Sequence, residues 1–207
     1  MTDTLSAELA AAWETTSRIE IGAAVLAAAY LLLAIKQRRS CWGAAFLSSC
    51  LYVWILSGAR LYMESALQAF YAAMAVYGYW QWTRGGGGGG VRLSRWSLQP
   101  NVMGLAAVVA ASLVSSFFLR RFTPAAWPFV DSMVTWASVF ATVLVARKVY
   151  ENWYWWLAID ALSLCLYFNR HLYLTTVLFG FYLIMIVAGM REWRRELPPA
   201  GHASQPA

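Results

Sequence analysis

Long apolar segments separated by short polar stretches run through the chain from residue 19 to residue 190. Most of them approach the ~20 residues that an α-helix needs to cross ~30 Å of hydrocarbon. Backbone amides in lipid must be bonded within a helix or a closed barrel, and the ~10-residue alternation of barrel strands is not evident. The pattern therefore predicts an all-α integral membrane protein with seven transmembrane helices: Ile19–Ile35, Cys41–Ser57, Leu61–Trp82, Leu98–Leu119, Ala125–Ala146, Trp153–Phe168 and Leu172–Met190.

The composition supports a membrane protein and excludes two other classes. Hydrophobic residues make up 60% of the chain and charged residues 13%, whereas soluble domains carry about a quarter charged residues. Disordered chains are polar and poor in aromatic residues. Cys41, Cys50 and Cys165 are odd in number and lie in apolar segments, which excludes a disulfide scaffold. The first eighteen residues lack a basic start followed by an apolar stretch, so we expect no cleavable signal peptide.

The distribution of the basic residues predicts the orientation of the chain. The net charge is +6, and the Lys and Arg residues form short clusters next to apolar segments. If the N-terminus lies outside, eleven of the 16 Lys and Arg residues fall in the inner loops and the C-terminal region. Cytoplasmic loops carry such an excess, so the N-terminus is predicted outside and the C-terminus inside. A nucleic-acid-binding protein would gather its basic residues on one continuous face, so we expect no nucleic-acid partner.

The chain contains an internal repeat. Residues 42–84 align without a gap on residues 153–195, at an offset of 111, with twelve identities in forty-three positions. Chance matches between apolar helices produce shared leucines, but the identities here include less common residue types: Trp42/Trp153, Tyr62/Tyr173, Tyr71/Tyr182, Gly78/Gly189, Trp82/Trp193 and Arg84/Arg195.

The repeat predicts a three-plus-one-plus-three arrangement. The N-terminal segment 1–18 precedes a three-helix unit at 19–84; residues 85–124 hold a Gly-rich linker and helix 4; a second unit spans 125–195, before the polar tail 196–207. Because three crossings would invert the second unit, helix 4 restores its direction and both units face the same way. Transporters are built from such parallel repeats, with the substrate site near mid-membrane. The run Gly85–Gly90 lacks a phosphate-loop pattern and reads as a flexible linker.

The sixth helix carries the strongest candidate site. Trp153, Trp156 and Asp160 follow one another at i, i+3 and i+7, which places two indoles and a carboxylate on one face. An interfacial aromatic belt is the alternative for Trp153, near the helix end, but Asp160 lies two turns deeper. Indole faces attract cations, and a carboxylate inside a membrane is costly enough to indicate function. These residues predict a site for a flat, cationic organic ligand.

The third helix adds three polar candidates, Glu64, Gln68 and Tyr71, at helical spacing. Glu64 has an alternative role near the helix N-terminus, where acidic groups are favoured. Gln68 lies deeper and offers two donors and two acceptor lone pairs for an amide or aminopyrimidine edge.

The fifth helix carries a polar stripe with two interpretations. Small hydroxyl residues commonly mediate close helix packing in membranes, and the same residues could line a pathway. Trp136, beside the stripe, is included among the candidate substrate-binding residues. The stripe consists of Asp131, Thr135, Ser138 and Thr142.

Several chemistries are excluded, and we expect neither enzymatic activity nor a cofactor. The histidines, His171 and His202, lie in a loop and in the tail, so no His-based metal cluster is expected. Lys36 and Lys148 both lie in loops, so no lysine inside a helix can form a retinal Schiff base. The sequence contains no Walker motif and no nucleophile motif with a base nearby.

Taken together, these motifs resemble the PnuC-type vitamin transporter family. The resemblance covers helices 2 to 7. It rests on Leu61-Tyr62…Leu67-Gln68…Tyr71…Tyr77-Gly78-Tyr79…Trp82, on Leu172-Tyr173-Leu174-Thr175 followed by Gly189…Trp193, and above all on Trp153-x-x-Trp156-x-x-x-Asp160.

The resemblance implies a function and a set of partners. Members of the family are bacterial inner-membrane facilitators for nicotinamide riboside, with relatives for thiamine and riboflavin. Their fold is similar to that of the SWEET sugar carriers, and homotrimers occur, so a homo-oligomer is expected. A cytoplasmic kinase phosphorylates the vitamin and so traps it. The family pattern implies that Trp153, Trp156 and Asp160 bind substrate, with Gln68 facing them from helix 3.

The sequence leaves open which vitamin is carried and whether the protein transports a substrate at all. An aromatic cage with a carboxylate suits nicotinamide riboside or thiamine, since both carry a cationic ring. We expect nicotinamide riboside, because most recognised members carry it. A non-transporting membrane receptor or assembly factor with the same fold is the alternative from a different class; it predicts no uptake by reconstituted vesicles.

Overall fold

Seven α-helices follow one another along the described part of the chain. The computed structural model describes residues 18–58, 62–122, 127–169 and 173–197. The helices are α1 (Arg18–Ile35), α2 (Cys41–Gly58), α3 (Tyr62–Arg84), α4 (Leu98–Phe122), α5 (Pro128–Ala146), α6 (Asn152–Asn169) and α7 (Tyr173–Arg195). Within the described residues, the prediction of an all-α chain with seven helices is confirmed.

The helix ends differ from the predicted ends by at most five residues, and local chemistry explains the largest differences. Helix α5 begins at Pro128 instead of Ala125, because proline is favoured in the first helical turn, where its missing N–H costs nothing. Helix α7 continues past Met190 to Arg195, which carries the buried Trp193 into the interior.

Within the described residues, five helices are long and apolar enough to span a membrane. They are α1, α2, α4, α5 and, over Thr176–Arg195, α7. The two others carry more polar residues, and part of that polarity is buried: Ser65 on α3, and Asn152, Asp160 and Ser163 on α6. Polar residues inside a bundle lower the hydropathy of their helix without exposing charge to lipid.

The helices pack in two sets of three. Helix α2 packs between α1 and α3, and α6 packs between α5 and α7. The sets meet where α3 packs on α5 and α1 packs on α7, while α4 packs on α5.

Four tryptophans join the two sets at one end of the bundle. We call Trp42, Trp82, Trp153 and Trp193 the tryptophan cluster. Trp42 meets Trp82 edge-on with ring centroids 5.5 Å apart, and Trp153 meets Trp193 edge-on at 5.3 Å. The Trp82 and Trp193 rings lie 6.4 Å apart. All four side chains are buried.

Two indoles of this cluster cap the ends of helices in the opposite set. The Trp82 Nε1–H donates to the carbonyls of Val145 and Ala146, at the end of α5. The Trp193 Nε1–H donates to the carbonyls of Ala34 and Ile35, at the end of α1. Donors and acceptors of the two pairs differ by the same 111 positions. These bonds satisfy carbonyls that a helix C-terminus leaves without intrahelical partners.

Two glycines let the other two indoles approach a neighbouring helix. A Cβ atom on Gly78 would overlap the Trp42 ring, and one on Gly189 would overlap the Trp153 ring. Both glycines are buried. Close helix contact through glycine is common in membrane bundles, and here it makes room for the largest side chain.

The segment after the glycine run anchors the start of α6. Ser94 exchanges backbone hydrogen bonds with Lys148 and Tyr150. The Glu151 carboxylate accepts hydrogen bonds from the Trp96 backbone N–H at 2.8 Å and from Arg95 Nε at 3.3 Å. Next to this segment, Lys148 Nζ lies 4.6 Å from the centroid of the Trp82 ring, and burial lowers the pKa of Lys148.

Candidate substrate site

A cavity of about 430 Å³ opens between the two sets of helices. Helices α1, α3, α5, α6 and α7 all contribute to its wall, whereas α2 and α4 do not. The polar and aromatic residues of this wall are Tyr30, Gln68, Tyr71, Ser138, Asn152, Trp153, Trp156, Asp160, Ser163, Phe179, Tyr182 and Trp193.

Helix α6 supplies a continuous stripe to this wall. Six of its residues line the cavity at spacings of one, three or four, which is the pattern of one helix face. The stripe contains three polar side chains, two indoles and one aliphatic side chain. The stripe consists of Asn152, Trp153, Trp156, Ile159, Asp160 and Ser163.

Asp160 is the charged residue among those that line the cavity in the described part of the chain. Its side chain is buried, with 6% of its surface exposed. Among the described residues, no basic side chain pairs with its carboxylate, and no three His, Cys, Asp or Glu side chains lie close enough together to hold a metal ion. A buried carboxylate without a cationic partner is costly, and a cation in the cavity would offset that cost.

Aromatic rings from three helices line the cavity together with the carboxylate. Tyr71 on α3 and Phe179 and Tyr182 on α7 line the same cavity as Trp156 and Asp160. Aromatic faces attract cations and also bury the apolar area of a flat ring. The described wall of the cavity thus combines aromatic rings with the acidic side chain of Asp160.

The structure brings five of the seven predicted substrate-binding residues to this cavity. They are Gln68, Tyr71, Trp153, Trp156 and Asp160. The two tryptophans differ: Trp153 belongs to the tryptophan cluster and meets Trp193 edge-on, whereas Trp156 lies outside that cluster, so Trp156 is better placed to stack on a ligand.

Of the two other predicted residues, Trp136 does not line this cavity. Trp136 is 39% exposed, and its indole donates a hydrogen bond of 2.9 Å to Ser115 Oγ on α4. It therefore contributes to the contact between α4 and α5. The side chain of Glu64 lies outside the described residues.

Two residues of the polar stripe of α5 form hydrogen bonds within their own helix, and one residue lines the cavity. The hydroxyls of Thr135 and Thr142 donate to carbonyls of their own helix, those of Asp131 and Ser138. Ser138 lines the cavity.

Several lining residues were missed by the sequence reasoning. Tyr30 belongs to α1, which shows no polar pattern. Phe179 and Trp193 belong to α7, and the pattern of a single helix does not show how that helix packs against its neighbours. Tyr182 had a signal, since it aligns with Tyr71 at the offset of 111. Asn152 lies one residue before the predicted start of its helix and was treated as part of a loop.

Comparison with known proteins identifies the family. A model of the family described as "Nicotinamide mononucleotide transporter" matches residues 17–195. The riboflavin/roseoflavin transporter RibM of Streptomyces davaonensis is 28% identical over 171 residues, covering 79% of each chain. The nicotinamide riboside transporter PnuC of Escherichia coli is 26% identical over 160 residues, covering 65% of this chain and 67% of PnuC.

A solved structure shares the fold. The crystal structure of the vitamin B3 transporter PnuC aligns with a TM-score of 0.70 at 20% identity, covering 92% of this chain and 87% of that chain. The chain belongs to the PnuC family of membrane vitamin transporters.

Proposed function

We propose that this chain carries a vitamin with a cationic ring across the bacterial inner membrane, and that nicotinamide riboside is its substrate. The observation that carries this proposal is the Asp160 carboxylate, buried in an aromatic cavity without a basic partner among the described residues. A pyridinium ring would supply the missing positive charge. Neither a neutral sugar nor an anion would do so.

The other lining residues fit this substrate. The pyridinium ring stacks on Trp156, where cation–π attraction is worth ~0.5–2 kcal/mol. Gln68 lies on α3 and lines the same cavity as α6. Its amide can both donate to and accept from the carboxamide of nicotinamide, which has the same pair of groups.

Thiamine and riboflavin are the two alternative substrates, and they differ from each other in charge. Thiamine carries a cationic thiazolium ring and satisfies the same charge argument. Riboflavin is neutral and does not, but RibM, a riboflavin/roseoflavin transporter, is 28% identical to this chain. The charge of the preferred vitamin therefore separates riboflavin from the two cationic candidates, nicotinamide riboside and thiamine.

We further propose how the fold moves the substrate. The two sets of three helices are like-facing repeats related by an axis along the membrane normal, with the N-terminus outside and the C-terminus inside. Rocking of one set against the other alternately opens the cavity to each side. Movement is facilitated diffusion, and phosphorylation by a cytoplasmic kinase traps the vitamin. The chain acts as a homo-oligomer, a trimer by analogy with the family.

Binding and uptake test the proposal. The purified protein is titrated with nicotinamide riboside, thiamine and riboflavin while tryptophan fluorescence is followed, and it is then assayed for uptake in proteoliposomes. We expect tightest binding of nicotinamide riboside. Trp156→Ala should weaken that binding, while Trp80→Ala, which removes an exposed indole from α3, should leave it unchanged.

Two results would contradict the proposal. Preferred binding of riboflavin over both cations would leave a vitamin transporter but overturn the cationic substrate. Binding without any uptake would favour a receptor that uses the same fold.

A further inference from the structure

A buried amide marks the end of the cavity away from Asp160. Asn152, the first residue of α6, lines the cavity and has 0% of its surface exposed. Its Nδ2–H donates a hydrogen bond of 2.6 Å to the Val149 carbonyl. Its Oδ1 has no hydrogen-bond partner among the described residues.

An unsatisfied acceptor at this position is unusual for a folded protein. Most buried side-chain polar atoms have at least one hydrogen-bond partner, so an exception calls for an explanation. The Asn152 amide is also held in place, because Val149 lies in the segment that pairs with Ser94 and Glu151 is anchored by the Trp96 backbone. A fixed, unpaired acceptor in a cavity wall is what a binding site for a donor group requires.

The neighbouring residue offers the complementary group. The Trp153 Nε1–H is buried and has no partner among the described residues, and Trp153 also lines the cavity. The indole alone would indicate little, because Trp42 likewise has an unpartnered Nε1–H and does not line the cavity. The Asn152 amide distinguishes the second repeat from the first. The equivalent residue in the first repeat is Cys41, next to Trp42, and it has no amide acceptor.

An unpaired acceptor and an unpaired donor on two residues of one cavity wall suit a hydroxyl group, which donates one hydrogen bond and accepts others. Asn152 and Asp160 are eight residues apart on α6, a rise of about 12 Å along the helix. The cavity thus has an anionic pole and a separate neutral polar pole. We propose that Asn152, with the Trp153 indole, binds a hydroxyl of the vitamin's tail and selects substrates by that tail. This inference rests on the proposed function, which places the ring at the other pole.

Ligands that differ only in the tail test this inference on the unaltered protein. Nicotinamide riboside is compared with the N-methylnicotinamide cation, which keeps the charged ring and replaces the ribose by methyl. We expect nicotinamide riboside to bind at least about tenfold more tightly, the difference that one or two hydrogen bonds produce. If riboflavin is the preferred vitamin, riboflavin and lumiflavin, whose ribityl chain is replaced by methyl, form the equivalent pair.

Variants then assign the difference to Asn152. Asn152→Ala should lower the affinity for the hydroxylated vitamin about tenfold and leave the affinity for its methyl analogue unchanged. Asn101→Ala is the matched control: this amide bonds Ser97 and Trp155 outside the cavity, and its loss should affect neither ligand.

Each other outcome overturns the inference in a recognisable way. Equal binding of the vitamin and its methyl analogue by the unaltered protein shows that the tail is not bound. An equal loss of both ligands in Asn152→Ala shows that the amide acts only on the structure. Failure of every ligand to bind the unaltered protein removes the proposed function and the inference with it.

Discussion

At the residue scale, Asp160 determines the electrostatics of the cavity. It is buried among aromatic side chains, and no basic residue among those described lines the same wall. Its environment distinguishes it from the other polar residues of the helices, such as Thr135 and Thr142, whose hydroxyls are satisfied by their own helix backbone. Among the described lining residues, Asp160 is therefore the side chain through which the proposed selection of a cation would act.

Replacing Asp160 by asparagine tests this concentration of charge. Asp160→Asn keeps the size of the side chain and removes its negative charge, so a cationic vitamin loses a charged contact worth ~1.5–3 kcal/mol. We expect the Kd for nicotinamide riboside to rise between ten- and a hundredfold. Isothermal titration calorimetry on the purified protein gives the measurement.

A charge-matched control accompanies this variant. Asp131→Asn removes a carboxylate from α5, and Asp131 does not line the cavity. Its Kd should stay within about twofold of the unaltered protein. A similar loss in both variants would mean that the charge of the whole protein, and not the carboxylate of the cavity, attracts the vitamin.

At the scale of the helices, the tryptophan cluster holds the two sets together. Trp82 and Trp193 each bridge from the end of one set to carbonyls that close a helix of the other. Trp42 and Trp153 fill the space that Gly78 and Gly189 leave open. The hydrogen bonds of Trp82 and Trp193 join helix ends that are 63 and 159 residues apart in sequence, and they lie at one end of the cavity.

Removing one indole N–H should weaken this junction. Trp193→Phe leaves an aromatic ring but removes the donor to Ala34 and Ile35, and an unsatisfied buried group costs ~1–3 kcal/mol. We expect the Tm in detergent to fall by several degrees, and Trp82→Phe to behave alike. Trp80→Phe, at an exposed position of α3, serves as the control and should change the Tm little. An equal fall of the Tm in Trp80→Phe would show that the loss of any indole, buried or exposed, lowers the Tm.

Replacing glycine by alanine is expected to change the stability in opposite directions at Gly189 and Gly43. Gly189→Ala places a methyl group against the buried Trp153 ring, and overpacking costs ~1–3 kcal/mol, more than the ~1 kcal/mol gained from helix propensity. Gly43→Ala meets nothing within 4 Å and should gain that propensity. Thermal unfolding should therefore occur at a lower temperature in Gly189→Ala and at a slightly higher one in Gly43→Ala. Stabilisation by both substitutions would show that the Trp153 ring can move away.

The sequence predicted the helices better than the contacts between them. The length of each apolar run places the helix ends within a few residues, because both the bilayer and the helix rise are fixed. The spacing of Trp153, Trp156 and Asp160 placed them on one face, since all three belong to one helix. Trp136 was predicted to belong to the site but does not line the cavity. The spacing of residues along one helix does not show which neighbouring helix an aromatic side chain contacts. Its partner, Ser115 on α4, is set by tertiary packing.

At the scale of the whole molecule, the proposed orientation puts residues on opposite sides of the membrane. The α1–α2 and α3–α4 connections hold clusters of Lys and Arg, and the end of α2 holds none. Gly88, in the exposed middle of the glycine run, belongs to the side predicted to be cytoplasmic. Gly58, exposed at the end of α2, belongs to the opposite side.

Cysteine labelling on intact cells tests this orientation. In a background without Cys41, Cys50 and Cys165, Gly58→Cys should react with a membrane-impermeant maleimide, whereas Gly88→Cys should react only after permeabilisation. Both variants must retain vitamin uptake, because labelling of an inactive protein says nothing about the native topology. The reverse pattern of labelling would invert the proposed orientation of both termini.

If the substrate is the proposed cationic vitamin, the Asp160 carboxylate in the cavity has a thermodynamic consequence for transport. Because Asp160 belongs to the protein, it returns with the empty carrier, and the positive charge of the vitamin crosses the bilayer uncompensated. A membrane potential that is negative inside then favours entry by ~2.3 kcal/mol per 100 mV, equivalent to about fiftyfold accumulation at equilibrium. Transport would be electrogenic, and the resting voltage of the cell would drive it without any coupled ion.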